Sequence, residues 1–372
     1  MKTRTSVLRT APGAFEVAEI DLEPPRAGEV LVRLGAAGLC HSDDHLQTAD
    51  MKMRTMPVAG GHEGAGVVVG VGPEVHDLAE GDHVVFSFVP TCGRCRFCAR
   101  GQQNLCDLGA MMLVGSRLDD RTSFRMSLDG APVAQMAGIS TFSEHTTVDA
   151  RSCVRIPEDI PLRVACLTGC GVGTGWGSAV NSAAVRPGHV VVVMGVGGIG
   201  IHAVQGAAHA GARMVVAVDP VGLKRETALA MGATHVAETM AEATAIARGA
   251  TNGQGADSAI VAVGRTTGDH LAEGFAAVRK GGTLVATGIG DNREVGIPVP
   301  LAELIMYQKR IQGSLYGGCA PTVDIPLQLE LYRSGHLKLD ELITTTYSLD
   351  EVARGYEDMH AGRNLRGVVV FD

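Results

Sequence analysis

The stretch from His189 to Asp219 constrains the fold more than any other part of the chain. It opens on the apolar run Val190 to Met194, turns through Gly195-Val196-Gly197-Gly198-Ile199-Gly200, and continues with helical patterning from Ile199 to Ala210. A second apolar run, Met214 to Val218, ends in Asp219. Strand, glycine turn, helix and strand make one βαβ unit, which belongs in a parallel sheet. In such a turn Gly195 permits the tight bend, Gly197 lets the backbone approach a pyrophosphate, and Gly200 lets helix and strand pack closely. The helix N-terminus at Gly198 and Ile199 then stabilises the phosphate charge. Asp219 lies 24 residues after Gly195, where a carboxylate can hydrogen-bond an adenosine ribose. That carboxylate repels a ribose 2′-phosphate, so NAD(H) is expected over NADP, with Lys224 and Arg225 near enough to soften the preference. Arg225 by itself reads as part of a solvated helix start.

The same alternation continues with a helix over Leu223 to Met231 and strands at Ala259 to Val263 and Thr283 to Thr287. The first third differs: short β-patterned runs at Glu29 to Leu34, Gly66 to Val71 and Asp82 to Phe88 are separated by Gly and Pro turns, as in an all-β, barrel-like domain. The character changes near Pro187 and returns to mixed elements from about Tyr316, ending in a strand over Gly367 to Phe371. A chain of 372 residues is long enough for two cores. The expected class is therefore α/β.

Charge narrows the function. Forty acidic against 32 basic residues give a net charge of −8 without long runs of either sign, so no nucleic-acid partner is expected. The opening MKTRTSVLRT has no apolar leader, and the glycines and polar residues of 189–218 interrupt the one run that looks like a membrane span. A cytoplasmic protein with reduced cysteines and no membrane partner is expected.

Cys92, Cys95, Cys98 and Cys106 form CxxCxxCx7C. Four thiols so close together suit a tetrahedral metal, and a site closed by four thiolates leaves no position for substrate, which makes its role structural. An iron–sulfur cluster is the rival, but the wide last gap and the lack of a proline after Cys106 depart from the ferredoxin pattern. Cys40, His62 and Cys170 are dispersed, and spacing alone does not join them; each by itself reads as a buried cysteine or a satisfied histidine.

Taken together, GLCHSDDH, GHEGAG, the four-cysteine lobe, GCGVGTGWGSAV and GVGGIG resemble the zinc-containing medium-chain dehydrogenase/reductase superfamily over nearly the whole chain. DLEPPRAGEVLVRLGAAGLCHSDDH, CGRCRFCARGQQNLCDLGA, QGAAHAGAR and KRIQGSLYGG further resemble its actinobacterial nitrosoaniline-dependent alcohol dehydrogenase branch. The resemblance implies a GroES-like β-barrel catalytic domain over residues 1–171, with a structural zinc lobe at about 90–108. A Rossmann domain with a doubly wound parallel sheet follows over 172–315, and residues 316–372 return to the catalytic domain. It implies an active site in the cleft between the domains.

It also implies two Zn²⁺ per chain: a structural one on the four clustered cysteines, and a catalytic one on Cys40, His62 and Cys170 with water or substrate in the fourth position. Glu63 would lie behind the metal or ligate it transiently, and Asp43 would hold His62 by its other ring nitrogen. Ser42 would take the alcohol proton and pass it through the cofactor ribose to His45, which releases it to water. Thr174 and Ile199 would support the nicotinamide, and Lys224 would reach the adenosine ribose. Arg366 would contact the pyrophosphate or Glu63. His41 takes the cofactor-side position where some well-known members carry an arginine.

Phe88, Met136, Ala137 and the segment 109–135 are candidates for the substrate channel, while Cys153, Cys166 and Cys319 read as ordinary core cysteines. The implied reaction is reversible oxidation of an alcohol, primary favoured, to an aldehyde with NAD, in a homo-oligomer of two or four chains. The branch implies an alternative, a nicotinoprotein whose bound NAD(H) is re-oxidised by another carrier. The zinc-free reductases of this architecture lack the cysteine set. A non-catalytic cofactor-binding role would leave Ser42 and His45 without a purpose.

Overall fold

The computed structural model describes residues 1–371. The chain divides into two compact units, residues 1–170 with 320–371, and Gly171–Cys319.

The first unit holds a closed five-stranded barrel whose order is Lys2–Leu8, Glu16–Leu22, Met126–Leu128, Ala131–Gln135, Val58–Ala59. Beside it lies a sheet ordered Cys153–Ile156, His83–Phe86, Gly64–Val71, Glu29–Gly38, Arg366–Val370, Ile343–Tyr347, with His145–Asp149 also paired to Glu29–Gly38. Alternation explains the central strand: Val30, Val32 and Leu34 are fully buried against Val68, Val84, Phe86 and Val148, whereas Arg33 between them is exposed. Register shifts at Leu31/Val32 and Leu34/Ala36 re-aim the end of this strand. Its last residues pair Ala37 with Gly64 and lead into the short helix His41–Gln47.

The second unit is a six-stranded sheet ordered His235–Ala237, Met214–Val218, Val190–Met194, Ala256–Val261, Val278–Ala286, Arg310–Gly313, parallel throughout. The Val190–Met194 strand is buried over its whole length, as a central parallel strand covered on both faces must be. The chain winds first to one side of this strand and then to the other. The reversal falls between Val190–Met194 and Ala256–Val261, the switch point at which doubly wound sheets bind ligands. The helices run Gly200–His209 and Gly222–Ala230, within a residue of the patterned stretches. The strand expected from Thr283 begins earlier, at Val278, because its first residues pair with Ala256 before a register break. Among the described residues no helix is long and apolar enough to cross a membrane.

Candidate active site

Cys40 sits at the junction of strand and helix, in extended conformation, with its carbonyl accepting from the Asp43 and Asp44 amides. The first helical turn then places Asp43 in full burial. Asp43 Oδ1 accepts the Gly61 amide at 2.8 Å and Oδ2 faces His62 Nδ1 at 2.7 Å. Gly61 has φ +88°, and a β-carbon there would lie 2.5 Å from the Phe142 amide nitrogen, so the turn that presents His62 requires glycine. With Nδ1 against a carboxylate, the His62 ring offers Nε2, which lies 3.3 Å from Cys170 Sγ. The ligand atoms of Cys40, His62 and Cys170, all buried, lie within 4.8 Å of one another.

The electrostatics match a cation site. A hydrogen bond from Cys170 holds the Cys40 thiol well below the ordinary thiol range, and the same contact lifts Cys170 well above it. Burial opposes charge on His62, yet Asp43 and Cys40 outweigh it and raise the imidazole well above its usual value. Two sulfur donors and an imidazole nitrogen, with a carboxylate behind the ring, suit zinc in the three-ligand arrangement that leaves a position open.

Glu63, fully buried, pairs with Arg366, itself 3% exposed; of the two contacts implied for Arg366, this chain makes the one to Glu63. Ser42 Oγ is 3.9 Å from Cys40 Sγ. His45, one turn along the helix, is only 4% exposed, and its Nδ1 is 3.5 Å from Asp50 Oδ2. The turn after the helix folds back over it. His41 is exposed. Phe88 packs edge-on against the His62 ring, with centroids 5.9 Å apart. Met136 is buried in a core with Phe15 and Phe142, and Ala137 in one with Val84 and Phe86. The segment 109–135 is pinned by Arg117 and Arg125, both paired with Glu29, a buried cluster that no motif announced.

The four clustered cysteines also converge, with Cys92, Cys95, Cys98 and Cys106 sulfurs within 4.8 Å of one another. Backbone amides point at them: Cys95 N–H donates to Cys92 Sγ at 3.3 Å, Cys98 N–H to Cys95 Sγ at 3.4 Å and Cys92 N–H to Cys106 Sγ at 3.4 Å. The Cys98 and Asp107 amides hold the Cys95 thiol down at about 6, while burial and the neighbouring Cys95 push Cys98 up to about 12. All nine cysteines are free thiols, and the donor set fits a closed tetrahedral zinc site. Of the remaining three, Cys166 and Cys319 are buried as expected, but Cys153 is only half-buried, at the start of the edge strand Cys153–Ile156.

In the second unit Gly195 has φ +81°, and a β-carbon on Gly200 would lie 1.8 Å from the Gly195 carbonyl oxygen. A β-carbon on Gly197 would meet nothing within 4 Å, so that side of the loop faces open space, as a phosphate-binding turn needs. Asp219 is buried; Oδ2 accepts the Val196 amide at 3.1 Å and Oδ1 the Val221 amide at 3.0 Å. Arg225 is not merely solvated. Its Nη1 donates to the Asp219 carbonyl at 2.6 Å and its Nη2 lies 3.7 Å from Glu238. Lys224 and Ile199 are partly buried and Thr174 is buried. The Thr174 carbonyl accepts Ser178 Oγ at 2.7 Å, and that hydroxyl also meets Thr287 Oγ1 at 2.5 Å and Ser314 Oγ at 3.0 Å.

Residues 26–158 match the alcohol dehydrogenase GroES-like domain, and residues 198–331 match the zinc-binding dehydrogenase domain. Fold and donor sets together define a two-part zinc-binding dehydrogenase with an NAD-type cofactor. The chain belongs to the zinc-containing medium-chain alcohol dehydrogenase family. It is 48% identical over 370 residues to the NDMA-dependent alcohol dehydrogenase of Amycolatopsis methanolica, covering 100% of this chain and 99% of that one. Among solved structures it is similar to an alcohol dehydrogenase zinc-binding domain protein from Burkholderia ambifaria, with a TM-score of 0.92, 30% identity and coverage of 100% and 99%. It is also similar to benzyl alcohol dehydrogenase from Acinetobacter calcoaceticus, with a TM-score of 0.90, 26% identity and 100% of both chains covered.

Proposed function

We propose that this chain oxidises a small alcohol, primary favoured, to the aldehyde, and runs the reverse reduction, with NAD(H) as hydride carrier. The observation that carries the reading is the convergence of Cys40, His62 and Cys170 within 4.8 Å, with the far nitrogen of His62 against Asp43. These three residues would hold a catalytic zinc and the four clustered cysteines a second, structural one. Bound there, zinc supplies Lewis acidity at the alcohol oxygen, and NAD⁺ supplies the hydride acceptor.

The chain's own residues do the rest. Ser42 Oγ accepts the alcohol proton, and the His45 imidazole receives it. Asp43 fixes the ring orientation and tautomer of His62. Glu63, compensated by Arg366, keeps a carboxylate behind the ligands, and Phe88 shields the His62 ring from water. In the second unit the amides of Gly197, Gly198, Ile199 and Gly200 would bind the pyrophosphate. Asp219 and Lys224 would bind the ribose, and Thr174 and Ile199 would position the nicotinamide. A homo-oligomer is the expected assembly, supported by the apolar row Leu301, Ile305 and Met306, which are 70%, 71% and 77% exposed.

Cys40→Ala decides the zinc assignment. Its activity should fall by about a hundred-fold or more, the loss expected when several kcal/mol of Lewis-acid stabilisation disappears. Metal analysis should read one zinc per chain in place of two, the remaining one reporting an intact four-cysteine lobe. Full activity in the variant overturns the assignment.

A second reading is favoured by the likeness to the NDMA-dependent relative: NAD(H) stays bound as in a nicotinoprotein and is re-oxidised by another electron carrier. Denaturing the purified protein should then release nicotinamide into the supernatant, and turnover with added NAD⁺ alone should be slow. An empty protein that turns over freely with NAD⁺ excludes this reading.

A further inference from the structure

The helix that carries Ser42 and His45 ends in a strained turn. Thr48 keeps helical dihedrals, and Ala49 then enters the left-handed region at φ 63°, which a β-carbon disfavours. The turn reverses the chain onto the helix. The Met51 amide donates to the His45 carbonyl at 2.9 Å and Thr48 Oγ1 donates to Asp50 Oδ2 at 3.2 Å. Asp50 Oδ2 is thereby placed 3.5 Å from His45 Nδ1, with the two side chains 11% and 5% exposed. The separation exceeds a full hydrogen bond but sets a carboxylate oxygen beside the ring nitrogen.

The other charged groups around this helix are committed elsewhere. Asp43 holds His62 and Gly61, and Asp44 is held by His360 at 2.8 Å and by Gln47 at 3.2 Å. From the packed helix Val352–His360, the Tyr356 hydroxyl donates to the Cys40 carbonyl at 3.4 Å. His41, Lys52 and Arg54 are exposed. Asp50 is the carboxylate that faces the His45 ring.

We propose that Asp50 is a positioning residue for His45: it keeps the proton on Nδ1, leaves Nε2 as the receiving atom and compensates the charge that forms. The inference rests on the proposed function, in which His45 takes the substrate proton. Oxidation sends the carbinol hydrogen with its electron pair to NAD⁺ and the hydroxyl proton through Ser42 to His45 Nε2. The resulting imidazolium returns its proton to water before the next turnover. A buried imidazole resists that intermediate charge. A carboxylate beside Nδ1 lowers the cost.

The test uses the zinc-loaded full chain with isotope-labelled histidine, the His45 resonance being identified by its loss in His45→Gln. In the wild type the ring 15N resonances should show Nδ1 of His45 protonated and Nε2 bare, and in Asp50→Asn they should move toward a mixture of the two tautomers. The kcat for alcohol oxidation should fall about 10-fold, with KM and zinc content unchanged. Asp50→Glu should restore part of both, and Asp50→Ser gives the same readout if the asparagine variant folds poorly. Unmoved His45 ring nitrogen resonances overturn the proposal. So does a tautomer that is lost while kcat stays, because Asp50 would then not act through the relay. Wild-type protein that turns over no alcohol defeats the proposed function instead, and the nitrogen resonances still decide the pairing.

Discussion

Asp43 shows how much one side chain can organise. Its two carboxylate oxygens are separately engaged by a backbone amide and by a ring nitrogen, so the residue fixes both the turn at Gly61 and the orientation of His62. Asparagine cannot repeat this, because one end of its amide is a donor and would face either the Gly61 amide or the His62 N–H. Asp43→Asn should therefore weaken zinc at Cys40, His62 and Cys170 by about 10- to 100-fold, the usual cost of losing such an outer partner. The four-cysteine site should be untouched. Titration against a chromogenic chelator resolves the two metals, and equal competition curves for variant and wild type would sink this role. Asp43 could be chosen from the sequence once the resemblance had named Cys40 and His62 as ligands, because it lies three residues after Cys40. Asp50 could not, since its place against His45 depends on the left-handed conformation of Ala49, which an alanine does not advertise.

The strand Glu29–Gly38 is the element on which the first unit turns. It pairs with Gly64–Val71, His145–Asp149 and Arg366–Val370, and so gathers the chain segments that carry His62 and Arg366 around its own continuation into Cys40. At its other end Glu29 pairs with the buried Arg117 and Arg125, tying down the segment 109–135. Burial alone would raise the Glu29 carboxyl. The charge of Arg125, hydrogen bonding from Arg117 and the Arg26 amide outweigh it and hold the group below its ordinary value. A depressed folded value means stability that is present above the unfolded pKa, about 4.3, and is lost as pH falls through the lower folded value. At pH 7, Glu29→Gln leaves two buried guanidinium groups undercompensated and should cost about 3–5 kcal/mol. Below about pH 4 the gap between variant and wild type should narrow, as the wild type loses the same charge. Thermal melts across pH 3 to 8 measure this; a gap that does not depend on pH refutes it. The strand itself was legible from its alternation, but its buried polar anchor was not, because Glu29, Arg117 and Arg125 are dispersed and no spacing rule pairs them.

At the scale of the molecule, legibility followed the distance along the chain over which each feature is assembled. The glycine loop with Asp219, and the four-cysteine lobe, are each built within one short stretch, so residue types and spacing sufficed to single them out. His62 and Cys170 are 108 residues apart, and no local pattern joins them. Sheet register brings Cys40 and His62 together, since Ala37 pairs with Gly64 just beyond each of them. Cys170 arrives separately, where Gly169 lies so close to the Phe86 carbonyl that a β-carbon would come within 2.5 Å of its oxygen. Only a resemblance that already contains the tertiary fold could name that trio from sequence. The second unit makes the same distinction within one sheet. Alternating strands and helices announced parallel pairing, yet the order of the strands was not written in their patterns. It is the reversal between Val190–Met194 and Ala256–Val261 that leaves the glycine loop at the sheet's switch point, with Gly197 facing open space. A motif thus supplies the chemistry of a phosphate site, and the topology supplies the room in which a ligand can reach it.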